Sequence, residues 1–170
     1  MDKQKIEQYL DLVTDRLKNL QRPENEEEWI AKQKADGQVI GAFPRDFGME
    51  PWDWPQGVGL YGMLKRYEYQ KDEDIREYLN QWFSTHLDEG LPVRNINTTC
   101  PLLTLSSLTE GKLGFETLCD DWADWVMHSP PRTEENGFQH TTTKDASKGI
   151  LNLNENQLWI DTLFMTVLFL

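Results

Sequence analysis

Apolar residues recur at helical spacing in six stretches of this chain, each bounded by turn chemistry. Ile6, Tyr9, Leu10, Val13, Leu17 and Leu20 form the first stripe, which Arg22-Pro23 closes. Residues 37–55 are rich in Gly, Pro and aromatics and read as a loop. Leu60, Met63, Leu64 and Tyr67 predict a second helix over 56–69. Ile75, Tyr78, Leu79, Trp82 and Phe83 fall at i, i+3, i+4, i+7 and i+8, a one-sided stripe for a third helix that Gly90 and Pro92 end. A short, evenly apolar fourth helix is predicted over 101–108. Phe115, Leu118, Trp122, Trp125 and Val126 mark a fifth, stopped by Pro130-Pro131. Residues 132–156 are polar, and within them 138–143 alternate as a strand or hairpin arm does. The sixth helix is predicted over 155–170 and is apolar nearly all round.

Ile75, Tyr78, Leu79 and Trp82 align with Phe115, Leu118, Cys119 and Trp122 at a constant offset of 40 residues. Each copy is a shorter apolar helix, a tight turn (70–72, 109–111) and a longer amphipathic helix, so the repeated unit is a helical hairpin. One-sided helices face water and lie outside; the less charged second, fourth and sixth lie inside. The expected fold class is all-α, a ring of helical hairpins, with 1–170 as a single domain. In such a ring the inner helices run the same way, and the loops leading into them gather on one rim. Trp52, Asp53, Trp54 and Gln56 precede the second helix, and Arg94, Asn95, Asn97 and Thr98 precede the fourth. Arg132, Gln139, His140, Gln157, Trp159 and Asp161 precede or open the sixth. Aromatic rings, amides, a histidine and a carboxylate are thus delivered to one place, as in a ligand site.

Charge narrows the partners of that site. Seventeen Lys and Arg against 29 Asp and Glu leave the 170-residue chain at −12. That balance excludes general phosphate-backbone binding and docking on anionic membranes. The longest apolar run, 163–170, is broken by Thr166 and is far short of the roughly 20 residues a membrane span needs. The N-terminus is charged and amphipathic, without a secretory core. Cys100 and Cys119 match neither a metal spacing nor a disulfide framework, so the reducing cytoplasm is the expected compartment. No two histidines have metal-ligand spacing, and neither a metal nor a cofactor is expected.

Asp161 is the sharpest candidate. It lies in QLWIDTLFMTVLFL, where helical spacing gives it Gln157, Leu158, Phe164 and Met165 as neighbours. A carboxyl buried there holds its proton and suits a general acid; alternatively it bonds a neighbouring backbone. Trp159 and Gln157 suit a sugar ring and its hydroxyls. Trp52 and Trp54, flanking Asp53, form either a stacking wall for a sugar or a loop anchored over the core. Gly57, Gly59 and Gly62 allow close helix packing but make no phosphate loop. His140 bonds a ligand, orients Asp161, or is a surface histidine. His86 and His128, near helix ends, compensate helix dipoles or are solvated. Asn95, Asn97, Thr98 and Thr99 bind hydroxyls or form an N-cap cluster. Glu26-Glu27-Glu28 and Asp120-Asp121 read as solvated faces, and the cysteines as small buried hydrophobes.

WDWPQGVGLYGMLKRY, PVRNINTTCPLLTL, PRTEENGFQH and QLWIDTLFM, in this order, resemble the unsaturated rhamnogalacturonyl hydrolases, cousins of the unsaturated glucuronyl hydrolases. The resemblance covers almost the whole chain. It implies an (α/α) toroid of six hairpins, of which the six helices here would be the N-terminal half. It also implies release of a 4,5-unsaturated uronic acid from the non-reducing end of a short pectin oligosaccharide left by a lyase. In that family one Asp protonates the double bond at C4 and then, as carboxylate, activates the water that adds at C5. The resemblance places the catalytic Asp on Asp161, the ring-facing tryptophan on Trp159 and the substrate-contacting histidine on His140. Where many relatives carry an Asp before the fourth helix, this chain has Asn97, which bonds hydroxyls without adding charge. Arg94 and Arg132 are the nearby cations for the uronate carboxylate. The alternative function is a non-catalytic carbohydrate-binding or protein-interaction module, with self-association through an uncovered sixth helix.

Overall fold

A computed structural model describes residues 2–35, 47–110, 112–145 and 148–170. The chain divides into two compact units, Met1–Pro51 and Trp52–Leu170. In the first unit, α1 (Lys3–Lys18) follows the predicted stripe, with Ile6, Tyr9, Leu10 and Val13 exposed. A second helix, α2 (Glu26–Ala35), has no counterpart in the sequence reading, because its few apolar residues form no stripe. Three glutamates open it, as its N-terminal dipole favours. Trp29 meets Phe47 edge-on at 5.1 Å. Most of the loop expected over 37–55 lies outside the described residues.

The second unit carries the hairpins. Helix α3 (Trp54–Gln70) is capped by Asp53, whose Oδ1 accepts from Trp54 N at 2.8 Å, and it ends at Lys71 in the left-handed conformation. It buries Gln56, Gly57, Leu60, Met63 and Leu64. Helix α4 (Glu73–Glu89) starts at the Asp72 cap, buries the predicted Ile75, Leu79, Trp82 and Phe83, and stops at Gly90. Helix α7 (Leu113–His128) repeats it, burying Phe115, Leu118, Trp122 and Val126. The offset of the repeat is therefore real in three dimensions: Ile75 matches Phe115 and Trp82 matches Trp122.

The predicted fourth helix starts earlier than expected and is broken. Asn95 opens α5 (Ile96–Thr99) with a capping box to Thr98. Pro101, which has no N–H to donate, separates α5 from α6 (Leu102–Leu105), and a 3₁₀ turn over Ser106–Leu108 completes the run. All residues of α5 and α6 are buried. Helix α3 packs on both α4 and α6, and α6 packs on α7, so α3 and α5–α6 form the inner layer.

Strand β1 (Thr141–Asp145) pairs antiparallel with β2 (Ile150–Leu153), Thr141 opposite Leu153 and Thr143 opposite Leu151. The hairpin arm expected at 138–143 thus begins three residues later, and Phe138 forms an isolated bridge with Arg132 instead.

The sixth helix is the main correction. Residues 155–170 contain only α8 (Asp161–Met165) and a 3₁₀ turn over Val167–Phe169. Thr162, Met165, Thr166 and Phe169 turn inward, while Leu163, Val167 and Leu168 are exposed. Even apolarity gives no register for a long helix, and α8 itself is only five residues long. No described helix is long and apolar enough to cross a membrane.

Candidate functional site

Three segments that the sequence assigned to one rim do meet, and they meet on Cys100. Gly57 packs on it so closely that a Cβ would stand 2.6 Å from Cys100 Sγ. Gly62, expected to allow packing too, has no heavy atom within 4 Å of its Cβ position. Ile96, Cys100 and Met165 form one buried cluster, with Phe138 and Phe164 against it. Phe164 also meets Tyr61 edge-on at 5.4 Å, tying α8 to α3. Burial pushes the Cys100 thiol up to about 12, and the carboxylates of Asp53 and Asp161 push in the same direction. Two carboxylates from distant parts of the chain therefore act electrostatically on one thiol. Cys119 is likewise raised to about 12, by burial and Asp120, so neither cysteine is a poised nucleophile.

Asp161 itself is exposed. The apolar enclosure expected around it is absent, because Gln157 and Leu158 are not helical and stack no turn beneath it. It opens α8, one residue before the buried Thr162. In the sequence Asp53 stands out only as the acid between two indoles; its burial as the α3 cap is not legible from spacing.

The tryptophans part ways. Trp52 is buried: its Nε1 donates to Thr98 O at 2.7 Å, and its ring stacks on Trp82 at 5.2 Å. It is a core anchor. Trp54 is 40% exposed on the first turn of α3. Trp159 is 44% exposed and lies flat on His140, ring centroids 4.0 Å apart and planes 4° from parallel. Its Nε1 donates to Gln157 Oε1 at 2.9 Å. His140, expected at the substrate, is 1% exposed behind that ring.

Asn97 is buried at the head of α5, its N–H donating to Asn95 Oδ1 at 2.9 Å. The hairpin holds this turn: Asn95 Nδ2 donates to Thr143 Oγ1 at 2.9 Å, and Ile96 N donates to Thr141 Oγ1. The N-cap role expected as one reading of this motif is therefore observed. Gln139 Nε2 donates to Arg132 O, and its Oε1 accepts from Asn156 N, stitching 132 to 156.

Each of the two arginines has partners of its own. Arg132 lies 3.8 Å over the Phe138 ring and donates to Asn136 O and Met127 O. Arg94 pairs with Asp121 and covers Trp122. A surface depression of about 310 Å³ on α4, lined by Glu73, Arg76 and Asn80 among others, contains none of these residues. Among the described residues no group of three His, Cys, Asp or Glu side chains is placed to share a metal ion.

Comparison with known proteins identifies the family. Unsaturated rhamnogalacturonyl hydrolase YesR of Bacillus subtilis is 35% identical over 135 residues, which are 78% of this chain and 37% of YesR. A crystal structure of a possible member of the GH105 family from Klebsiella pneumoniae superposes with a TM-score of 0.77 at 33% identity, covering 99% of this chain and 41% of that one. A second possible GH105 member, from Salmonella enterica, gives 0.77 at 31% identity over 99% and 42%. This chain spans about two fifths of the length of these relatives. The mostly helical architecture is that of the GH105 six-hairpin fold. The model of Glycosyl Hydrolase Family 88 matches residues 24–170, and the chain belongs to that family.

Proposed function

We propose that this protein acts on short pectin oligosaccharides of rhamnogalacturonan type whose non-reducing end is a 4,5-unsaturated uronic acid, and that it releases that sugar. The observation that carries the reading is the exposed Asp161 at the start of α8, just after the half-exposed Trp159, on a segment whose Met165 packs with Ile96 and Cys100. Flat aromatic surface suits a sugar ring, and the amides of Asn97 and Gln157 suit its hydroxyls.

In the proposed reaction the Asp161 carboxyl gives its proton to C4, and positive charge develops at C5 and the ring oxygen. The resulting carboxylate takes a proton from water as its oxygen bonds to C5. The hemiketal so formed opens: the C5–O bond to the ring oxygen breaks, leaving a ketone at C5 and a hemiacetal at C1. That hemiacetal expels the sugar alcohol. One carboxyl serves as acid and then base, unlike the paired carboxylates of most glycosidases. The exposure of Asp161 leaves it reachable by substrate and water, which supports this role. Asn97 supplies hydrogen bonds without charge.

The test is turnover of an unsaturated galacturonyl-rhamnose disaccharide, followed by loss of the double-bond absorbance in the ultraviolet. Asp161→Asn is expected to slow it by about 10²–10⁴-fold, the range for a positioned acid–base group. Wild-type turnover in that variant would remove Asp161 from the mechanism. Binding without turnover in the wild type would favour a carbohydrate-binding module.

A further inference from the structure

We infer that His140 is a positioning residue: it does not touch the sugar but fixes the plane of Trp159, whose opposite face receives the sugar. The inference rests on the reading of Trp159 as a sugar platform. His140 is 1% exposed and Trp159 is 44% exposed, so the histidine is on the closed side of the indole. The rings are parallel within 4° at a centroid separation of 4.0 Å, which is stacking over the whole imidazole rather than edge contact.

The rest of the frame constrains the same indole. His140 N donates to Gln157 O at 3.0 Å, and Asn154 N donates to His140 O at 2.9 Å. Gln157 N donates to Asn154 O, closing the turn that carries Gln157 and Trp159. Gln157 Oε1 then accepts from the indole N–H. One face and one edge of the ring are therefore occupied, and the outer face is the one left for a ligand. Trp159 O accepts from Thr162 N in the first turn of α8, so the same frame sets where Asp161 begins. A ring held before binding loses less freedom on binding, which strengthens stacking without adding a contact. The order of contacts is thus histidine, indole, sugar, and the histidine reaches the sugar through the indole.

The test uses the whole chain labelled with 5-fluorotryptophan. Its seven tryptophans give separate fluorine lines, and Trp159→Phe identifies the relevant one. His140→Phe keeps a ring and removes the polar atoms; His140→Asn keeps a polar group and removes the ring. The Trp159 line is expected to stay displaced in His140→Phe and to move toward free fluorotryptophan in His140→Asn. If the six other lines show His140→Asn to be unfolded, His140→Leu takes its place with the same expectation. A line unmoved by loss of the ring, or moved equally by His140→Phe, overturns the inference.

The second readout titrates the unsaturated disaccharide against the same line. His140→Asn is expected to weaken binding by about threefold to tenfold, and His140→Phe by no more than about twofold, as one aromatic pair allows. Equal loss in both variants with the line unmoved in His140→Phe would mean that His140 touches the sugar, against the inference. A wild-type line that ignores the disaccharide, with the variant lines behaving as expected, removes the sugar reading and leaves His140 as the support of Trp159.

Discussion

Replacing Gly57 with alanine perturbs the contact on which the site closes. Gly57 is buried in the first turns of α3, and a Cβ there would lie 2.6 Å from Cys100 Sγ, 2.8 Å from Pro101 N and 2.9 Å from Cys100 C. Two of these atoms are backbone, so α3 and the turn around Cys100 must separate. Overpacking of this kind costs about 1–3 kcal/mol. Alanine recovers at most about 1 kcal/mol of helix propensity over glycine, and less so near a helix start. The net destabilisation expected is about 1–2 kcal/mol. Cys100→Ala relieves only the sulfur contact, so the double variant stays destabilised. Gly62→Ala is the internal comparison: the position is exposed on the same helix with nothing within 4 Å. There the same substitution is expected to stabilise, by up to about 1 kcal/mol. Urea unfolding, read as a shift in midpoint at constant slope, measures both. Asp53 and Trp54 lie one turn before Gly57, so Gly57→Ala is also expected to weaken sugar binding. A Gly57→Ala protein as stable as wild type would refute the close approach of α3 to Cys100.

Further outcomes follow from individual contacts. Asn95 is fully buried, accepts from two backbone N–H groups and donates to Thr143; Asn95→Ala is expected to cost about 2–4 kcal/mol by denaturant unfolding. Asn95→Asp keeps the acceptor and is expected to cost less. Cys100 rises from an ordinary 9.0 to about 12, so the folded state keeps a proton that the unfolded chain loses. Its contribution is therefore complete below pH 9 and is lost as pH rises toward 12. The unfolding midpoint should fall across that window less steeply in Cys100→Ala; an unchanged slope contradicts the burial of the thiol. Arg132→Lys loses the forked donation to Met127 O and Asn136 O and the stacking on Phe138, for an expected cost of about 1 kcal/mol.

The helices legible in the sequence are those that bury one face. Ile75, Leu79, Trp82 and Phe83, like Phe115, Leu118, Trp122 and Val126, recur every three or four residues because only that stripe meets the inner layer. Helix α2 lacks such a stripe and leaves no periodic trace. The segment 155–170 misled in the opposite way: leucine and phenylalanine on every side suggested a long enclosed helix, while the chain turns after five residues. The burial expected of Asp161 failed with it, since enclosure needed the turn that Gln157 and Leu158 do not make. Convergence of the three loops was legible because it follows from the order of inner and outer helices. The stacking of His140 on Trp159 was not, because it joins residues 19 apart through a hairpin whose register no local pattern sets. Trp52 and Trp54 look alike in sequence, and only the partner Trp82 decides which is core.

The central claim, that Asp161 protonates C4 and water adds at C5, is tested most directly by turnover of the unsaturated disaccharide in D₂O with the products read by NMR. The expected result is a released 4-deoxy sugar carrying deuterium at C4 from the earliest turnover, with formation strongly slowed in Asp161→Asn. Release of the unsaturated sugar with its double bond intact and no deuterium at C4 would contradict it.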